Sequence, residues 1–236
     1  LNPNKKLLFL TIFLCLYLIL DNEILIKTLE LSFINKTIYL GKYSFVFTIF
    51  CFLVFLNAFN MFDGINLQSS SYSLILLLYF VSLEIKSLLI FILIIYIIFF
   101  IYFNYSNKSF LGDSGTLLIS FIISVFFIKL FNKEVIIYSD EIFILLMMPG
   151  IDMIRLFFER IKKRRNPFSY DRNHIHHLLL EKFNYLKTIF IIISLIIMPI
   201  VLNFLEINKL NNIMSSIIIY SIIIFTLKRK KKITNF

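Results

Sequence analysis

The 236-residue chain is poor in charged residues, in alanine and in glycine. It contains one alanine, five glycines and no tryptophan, and only 16% of its residues are charged. Because a soluble domain carries about 25% charged residues, this chain lacks the polar surface that a domain in water needs. Hydrophobic residues make up 59% of the chain, with 29 phenylalanines, and the mean hydropathy is +0.88. This composition excludes disorder and indicates an integral membrane protein.

Cysteine is scarce too, and both cysteines lie inside apolar runs. Cys15 and Cys51 are therefore expected to act as small buried hydrophobes and not as a disulfide framework. The net charge of +10 could indicate a nucleic-acid partner. In a membrane protein it is more typical of basic loops on the cytoplasmic side. We therefore expect the membrane as a partner and no nucleic acid.

Eight apolar runs predict an all-α, polytopic membrane bundle with about eight transmembrane helices. Each run approaches the ~20 residues that cross a bilayer and is apolar around its whole circumference. The runs are 7–20, 43–60, 71–83, 88–103, 116–130, 141–157, 187–205 and 213–227. We expect residues 1–236 to form a single membrane-embedded domain.

The distribution of Lys and Arg predicts the orientation. With eight spans, one side of the membrane holds both ends of the chain and 17 of the 24 basic residues, so this side is predicted to be cytoplasmic. Its loops are 61–70, 104–115 and 158–186, and the last is a basic, histidine-bearing loop within the domain.

Two of these inner loops pair an acid with glycine. Asp63 precedes Gly64, and Asp113 follows Gly112. Either pair alone is explained by a tight turn at a helix end. Two acids at one membrane face, however, offer the oxygen ligands that Mg²⁺ prefers.

Two asparagines precede Asp63 at helical spacing. Asn57, Asn60 and Asp63 follow an i, i+3, i+6 spacing, which places them along one side of a continuing helix. Polar groups at the end of a membrane span cost free energy unless they are paired or hydrated. That cost favours a functional role.

All three histidines, His174, His176 and His177, fall within four positions of the loop 158–186. A zinc site would need at least one more ligand, and the basic run 162–165 is also explained as a positive-inside anchor. Clustered imidazole and guanidinium donors are typical of phosphate binding.

Three charged residues share one face at the inner end of the sixth run. They are Asp152, Arg155 and Glu159, at i, i+3 and i+7. A salt-bridged helix terminus explains Arg155 and Glu159 best.

Three motifs together resemble one family. Asn57–Gly64 (NAFNMFDG), Phe110–Gly115 (FLGDSG) and Asp171–His177 (DRNHIHH) occur in the order found in the polyprenyl-phosphate N-acetylhexosamine-1-phosphate transferases, relatives of the muramoyl-pentapeptide transferases. The run NPFSYDRNHIHH is similar to the N-acetylhexosamine branch. The resemblance covers roughly residues 1–185.

The resemblance implies a bacterial inner-membrane enzyme with a cytoplasmic active site. Such an enzyme transfers a sugar phosphate from a UDP-N-acetylhexosamine to a polyprenyl phosphate and releases UMP. It uses Mg²⁺, with Mn²⁺ as a possible substitute, and initiates an envelope polysaccharide such as O-antigen or teichoic acid.

The same resemblance implies roles for individual residues. The residues it places in catalysis are Asp63, Asp113, His174, His176 and His177. Those it places at the substrates are Asn57, Asn60, Asn66, Asp171 and Arg172. The implied metal ligands are Asp113 and Asn60.

Two departures from the family pattern stand out. Asn66 occupies a position where family members often carry a second aspartate, and the family's paired aspartates of an earlier inner loop are missing. The opening segment 1–7 resembles the stretch directly after that pair. We therefore expect an N-terminally truncated fragment that is inactive alone.

Two other functions remain open at this point. A transporter or channel is disfavoured because no acid or base occupies the middle of a predicted span. A non-catalytic remnant of a transferase is the second alternative. The amino sugar, the polymer and the oligomeric state also remain open, with a homodimer as one possibility.

Overall fold

The computed structural model describes residues 3–34, 36–166 and 172–233, which form a helical bundle. The prediction of an all-α membrane bundle is confirmed. The α-helices among these residues are α1 (Pro3–Leu20), α2 (Ser44–Phe62), α3 (Gln68–Ser82), α4 (Leu88–Tyr105), α5 (Gly112–Asn132), α6 (Ser139–Lys162), α7 (Ile175–Leu180), α8 (Tyr185–Phe204) and α9 (Lys209–Ile233).

Two ends of the bundle can be defined from side-chain contacts. Lys6 near the start of α1 contacts Asp113 at the start of α5, and we call this the site end. At the other end, which we call the far end, Asn132 of α5 donates to the backbone carbonyls of Glu23 and Leu25, just after α1. Helices α1 and α5 therefore run in the same direction.

The last helices run between the same two ends. Lys209 at the start of α9 pairs with Glu141 at the far end, and Lys228 of α9 pairs with Glu159 at the site end. Tyr185, the first residue of α8, contacts the site end instead. Neighbouring helices α8 and α9 are therefore antiparallel.

A small hairpin covers the far end. Strand β1 (Thr28–Leu29) pairs antiparallel with β2 (Ile38–Tyr39), with Thr28 opposite Tyr39. Asp140 of α6 accepts hydrogen bonds from the backbone and hydroxyl groups of Ser32 in this segment. The hairpin segment is thereby attached to the start of α6.

Five helical segments of the described residues are long and apolar enough to cross a membrane, so the count of about eight spans is not supported. They are Gly41–Phe62, Leu88–Tyr105, Gly112–Asn132, Tyr185–Phe204 and Lys209–Arg229. The other predicted spans coincide with α1, α3 and α6. At 1.5 Å per residue, the 15-residue α3 is about 22 Å long, shorter than the ~30 Å hydrocarbon core. Helix α6 carries acidic residues in its first turn and basic residues in its last turn.

The inner loops are shorter than predicted because the helices extend into them. Helix α5 begins at Gly112, whose φ of +60° is accessible to glycine, so Asp113 lies in the first turn of a helix. A carboxylate there is favoured by the helix dipole. Helix α6 extends to Lys162, and α7 forms inside the predicted loop 158–186.

Aromatic rings hold the helices together. Helix packing in lipid often uses glycine and alanine, but this sequence has only five glycines and one alanine. The Phe59 and Tyr72 rings stack at 5.7 Å, and Phe80 meets Phe127 edge to face at 4.7 Å. The Tyr72 hydroxyl donates to the Leu145 carbonyl at 2.8 Å, which joins α3 to α6. Helix α2 packs against both α5 and α6 at the centre.

Candidate active site

The centre of the site is a contact between the end of α2 and the start of α5. Asn60 Nδ2 donates to Asp113 Oδ1 at 3.0 Å and to Thr116 Oγ1 at 2.8 Å. Lys6 Nζ lies 2.8 Å from Asn60 Oδ1 and 2.9 Å from Asp113 Oδ2. The Lys6 ammonium therefore occupies a cation position between an amide oxygen and a carboxylate.

Asp63 directly follows α2 and lies beside this contact. The Ser69 hydroxyl, in the first turn of α3, donates a hydrogen bond to the Asp63 carboxylate. Burial raises the pKa of Asp63 above its usual value and the negative charge of Asp113 raises this pKa further, whereas the Ser69 hydrogen bond opposes the shift. Because the Asp113 charge affects the pKa of Asp63, the two acids share one electrostatic environment.

Gly64 connects these acids to the histidine segment. A Cβ atom built on Gly64 would lie 1.9 Å from Nε2 of His176, so only glycine fits at this position. Asn60, four residues earlier, binds Asp113. All three sequence motifs therefore meet around the end of α2, as the resemblance implies.

The three imidazole rings lie close together, and those of His174 and His176 are stacked. The ring centroids of His174 and His176 are 5.3 Å apart with planes at 10°, and those of His176 and His177 are 4.3 Å apart. His174 is 6% exposed and His176 is 1% exposed. Burial, and to a lesser extent the rings of His177 and His174, lowers the pKa of His176 to about 3. His176 is therefore a neutral imidazole at physiological pH.

The remaining predicted residues differ in their placement. Arg172 is exposed and His177 is half-buried, so both are nearer to solvent than His176. Asn57 donates to the Leu53 carbonyl of its own helix at 2.7 Å and makes no contact with the acids among the described residues. Asp171 lies outside the described residues.

Asp152 is a site residue that the sequence analysis did not assign. Its Oδ2 lies 2.9 Å from His174 Nδ1, and its Oδ1 is 2.6 Å from the Tyr220 hydroxyl and 2.7 Å from Arg155 Nη2. The signal for it was present in the shared helix face of Asp152, Arg155 and Glu159. That pattern was explained by ion pairs within the helix, and these do form.

The sequence of the chain matches a known protein family. The family model for glycosyl transferase family 4 matches residues 1–131, which is more than half of the chain. The chain belongs to glycosyl transferase family 4. The matched range contains the Asn57–Gly64 and Phe110–Gly115 motifs, and the histidine segment lies beyond it.

This family 4 chain is also similar to curated proteins named undecaprenyl-phosphate alpha-N-acetylglucosaminyl 1-phosphate transferase. The Escherichia coli K12 protein is 30% identical over 168 residues, covering 66% of this chain and 46% of that protein. The Salmonella typhi protein is 29% identical with the same coverage, and the Thermotoga maritima protein is 30% identical over 155 residues. The chain spans about half the length of these relatives or less. No solved structure matches it.

Asn66, the departure from the family 4 pattern, belongs to an amide network. Its Nδ2 donates to Asn107 Oδ1 at 2.6 Å, and its Oδ1 accepts from Asn104 Nδ2 at 3.3 Å. Its backbone carbonyl accepts from the Tyr185 hydroxyl at 2.8 Å. Both hydrogen-bonding sides of the Asn66 amide are therefore engaged within the protein.

The two metal ligands implied by the family resemblance, Asp113 and Asn60, present oxygens to one point. Within the described ranges, no group of three or more His, Cys, Asp or Glu residues could hold a metal ion. The Asn60 and Asp113 oxygens nevertheless converge on the Lys6 ammonium. Such oxygens suit Mg²⁺, which is usually held by one or two carboxylates together with substrate phosphates and waters. The donor set fits Mg²⁺ provided that Lys6 moves aside.

Proposed function

We propose that this family 4 chain is the catalytic part of a polyprenyl-phosphate N-acetylhexosamine-1-phosphate transferase. A phosphate oxygen of the polyprenyl phosphate forms a bond to the β-phosphorus of a UDP-N-acetylhexosamine. The bond from that phosphorus to the bridging oxygen breaks, and UMP leaves with the bridging oxygen. The product is a polyprenyl diphosphate sugar that initiates an envelope polysaccharide such as O-antigen or teichoic acid.

The observation that carries this proposal is the meeting of three motifs at one end of the bundle. Asn60 binds Asp113, and Gly64 contacts His176. Phosphoryl transfer depends mainly on positioning and on stabilisation of charge. A carboxylate and an amide oxygen for a cation, beside imidazole and guanidinium donors, supply both requirements.

The residues of this cluster take separate roles in the proposed reaction. Mg²⁺, or Mn²⁺ in its place, would be held by Asp113 and Asn60 and would neutralise charge on the diphosphate. Arg172 and His177, which are nearer to solvent, bind phosphate oxygens from the exposed side. His174 and His176 form the buried side of the same site.

Asp63 has a different role from Asp113 because its environment differs. It is half-buried and bonded to Ser69, whereas the side chain of Asp113 is 71% exposed. An exposed carboxylate exchanges partners readily and suits a metal that arrives with the substrate. We assign Asp63 to the nucleotide side of the site, where it orients groups of the UDP-sugar.

A groove between α2, α5 and α6 supports a lipid acceptor. Its volume is about 510 Å³, and its lining is almost wholly apolar. It extends from Phe33 near the far end to Ala58 and Gly150 toward the site end. Ala58 is two residues before Asn60 in α2, so the groove reaches the level of the proposed cation site along the helix axis, on a different face of α2.

The site end faces the cytoplasm in this proposal. The exposed basic residues 162–165 lie at this end, and positively charged segments remain cytoplasmic. UDP-sugars are also cytoplasmic. Lys6, near the start of α1, and Lys228, near the end of α9, both make contacts at the site end, which supports an even number of bilayer crossings between them, such as the eight that the apolar runs predict.

Cysteine labelling tests this topology in intact cells. Cys15 and Cys51 are first replaced by serine, and a single cysteine is then introduced at Tyr138 or at Arg165. A membrane-impermeant maleimide should label the Tyr138→Cys protein from outside and should label Arg165→Cys only after the cells are opened. The reverse pattern would place the site end outside and contradict the proposal.

An activity assay tests the reaction itself. Membranes containing the protein expressed from its complete gene are incubated with undecaprenyl phosphate, Mg²⁺ and radiolabelled UDP-GlcNAc or UDP-GalNAc. We expect a labelled lipid and an equal amount of UMP. An Asp113→Asn variant should lose both products, whereas Asp21→Asn, a change at the far end, should keep them. No labelled lipid with any UDP-N-acetylhexosamine would favour the non-catalytic remnant.

A further inference from the structure

Asp152 connects three separate segments of the chain at the site end. It lies on α6 and its side chain is 3% exposed. Its Oδ2 contacts His174 Nδ1 at 2.9 Å. Its Oδ1 accepts from the Tyr220 hydroxyl of α9 at 2.6 Å, from Arg155 Nη2 at 2.7 Å and from the Ile175 backbone N–H at 3.3 Å. A single buried carboxylate therefore joins α6, α9 and the start of α7.

The directions of these hydrogen bonds can be assigned from Arg155. Its guanidinium is always protonated, so its Nε donates to the Tyr220 oxygen at 2.7 Å. The Tyr220 hydroxyl proton is then directed to Asp152. Arg155 Nη2 also donates to the Asn173 carbonyl at 2.7 Å, which holds the residue before His174. Arg155 thus fixes both the carboxylate and the backbone of the histidine segment.

This network also determines the tautomer of His174. The Asp152 carboxylate is paired with Arg155 and offers only acceptor atoms. The His174 nitrogen that faces it, Nδ1, must therefore carry the proton. In the neutral ring, Nε2 is then the unprotonated nitrogen, which accepts a proton or a hydrogen bond. An orienting carboxylate behind an imidazole has this effect in other sites that use histidine.

The effect extends to the acidic part of the site through ring stacking. The His174 ring stacks on His176, and His176 lies against Gly64. Gly64 follows Asp63. Movement of His174 would therefore displace the ring that packs on the turn carrying Asp63.

We propose that Asp152 is the positioning residue of the histidine segment and that Tyr220 makes α9 part of the active site. Asp152 fixes His174 in the Nδ1–H tautomer, and Arg155 and Tyr220 hold Asp152 in place. All of these residues lie beyond the range 1–131 that the family model matches. The inference rests on the proposed transferase function for its effect on turnover, but the tautomer it assigns is independent of that function.

A tautomer measurement tests the inference without an activity assay. The protein is labelled with ¹⁵N-histidine and purified in detergent, and the ring nitrogens are observed by NMR at neutral pH. His174→Gln identifies the His174 signals among those of the three histidines of this chain. We expect protonated Nδ1 and unprotonated Nε2 in the wild type. The opposite tautomer in the wild type would overturn the inference, whatever the variants do.

Substitutions at Asp152 and Tyr220 test the role in turnover. Asp152→Asn should release the tautomer preference and lower kcat by about 10- to 100-fold, as loss of an orienting partner does in other sites, while KM for the UDP-sugar changes little. Tyr220→Phe removes only one hydroxyl and should give a smaller loss of kcat. Asp21→Asn removes a carboxylate at the far end, outside the lining of the groove, and should keep wild-type kcat.

The outcomes separate the inference from the proposed function. If the wild type shows the Nδ1–H tautomer and no transfer of any sugar phosphate, the proposed reaction fails and the positioning of His174 stands. If the wild type is active and Asp152→Asn keeps its kcat and tautomer, the inference fails and the reaction stands. If Asp152→Asn does not fold, the wild-type tautomer and the kcat of Tyr220→Phe decide the question, since a Tyr220→Phe protein with unchanged kcat would exclude α9 from the site.

Discussion

The His176 imidazole lies against the backbone of Gly64, with Nε2 1.9 Å from the position that a Cβ atom would take. This contact joins two motifs that are more than a hundred residues apart in the chain. The turn after α2 and the histidine segment therefore pack as one unit. We expect a substitution in either segment to alter the conformation of the other.

Gly64→Ala should therefore lower both the stability of the protein and its activity, although it adds only one methyl group. The methyl group would overlap the His176 ring, and overpacking of this kind costs about 1–3 kcal/mol of stability. We expect a lower unfolding temperature and loss of transferase activity. Gly150→Ala is the matched control, because nothing lies within 4 Å of its Cβ position in α6. That change should stabilise the protein by about 0.4–1 kcal/mol, and equal effects of the two substitutions on the unfolding temperature would contradict the contact. Only stability is compared for this control, because Gly150 lines the groove.

Divalent-ion binding should respond in opposite directions to changes at Asp113 and Lys6. Asp113→Asn removes the carboxylate of the proposed cation site and should weaken Mn²⁺ binding by about tenfold or more, since loss of even an outer-shell partner costs about 10- to 100-fold in metal affinity. Lys6→Gln removes the ammonium that competes for the same oxygens and should strengthen binding. Electron paramagnetic resonance of free Mn²⁺ measures both affinities.

The far end supplies a control for this measurement. Asp21 lies 3.9 Å from Lys129, so it is also an acid beside a lysine, but it belongs to the far end. Asp21→Asn should leave the Mn²⁺ affinity unchanged. Weaker binding in Lys6→Gln would show that Lys6 does not compete with the metal.

Acid should weaken the folded state through His176. Its pKa is about 3 in the folded protein, against an ordinary value of 6.5. Above pH 6.5 the ring is neutral in both the folded and the unfolded states, so it has no effect on the pH dependence of stability. Between pH 6.5 and 3 only the unfolded state binds the proton, so the free energy of unfolding falls by about 1.4 kcal/mol for each pH unit. Below pH 3 the loss is complete.

Thermal unfolding between about pH 7 and pH 5 measures this dependence. A His176→Gln variant lacks the titrating group and should lose less stability over the same range than the wild type does. Parallel pH curves for the two proteins would show that His176 is protonated in the folded state as easily as in the unfolded state.

Asn66 should tolerate a return to the family's aspartate. The Asn66→Asp carboxylate can still accept from Asn104, and it can accept from Asn107 once that amide turns over. We expect a small change in unfolding temperature and an altered KM for the UDP-sugar. Asn66→Leu loses both hydrogen bonds and should cost about 1–3 kcal/mol for the groups left unpaired. An Asp variant as unstable as the Leu variant would contradict this account of the network.

The sequence alone predicted which residues would lie together in the candidate site, but not the contacts that hold them there. Membrane class followed from hydropathy, and the resemblance placed Asn60, Asp113 and His176 in one site, which the structure brings together around the end of α2. Asp152 was not assigned, because an acid three residues before Arg155 is explained equally well by an ion pair within the helix. Only the fold shows that the same carboxylate reaches His174 and Tyr220.

Two further features depend on geometry that spacing does not reveal. In the sequence, Lys6 is only one of the basic residues on the predicted cytoplasmic side, yet it lies between Asn60 and Asp113 because α1 starts beside α5. The burial of His176 depends on how α7 packs under the turn after α2. The number of spans was predicted from apolar runs alone. In the structure, the sixth run is part of a longer helix, α6, whose two ends are charged.

The groove along α2, α5 and α6 is a slot and not a tunnel. Several of its lining side chains, such as Phe50, Phe143 and Ile154, are exposed on the surface of the bundle. A chain lying in such a slot enters and leaves sideways and does not thread through an opening. Acceptors with tails of very different length would thus fit equally well, since the surplus hydrocarbon stays among the lipids, and selection would depend on the phosphate and the first few carbons.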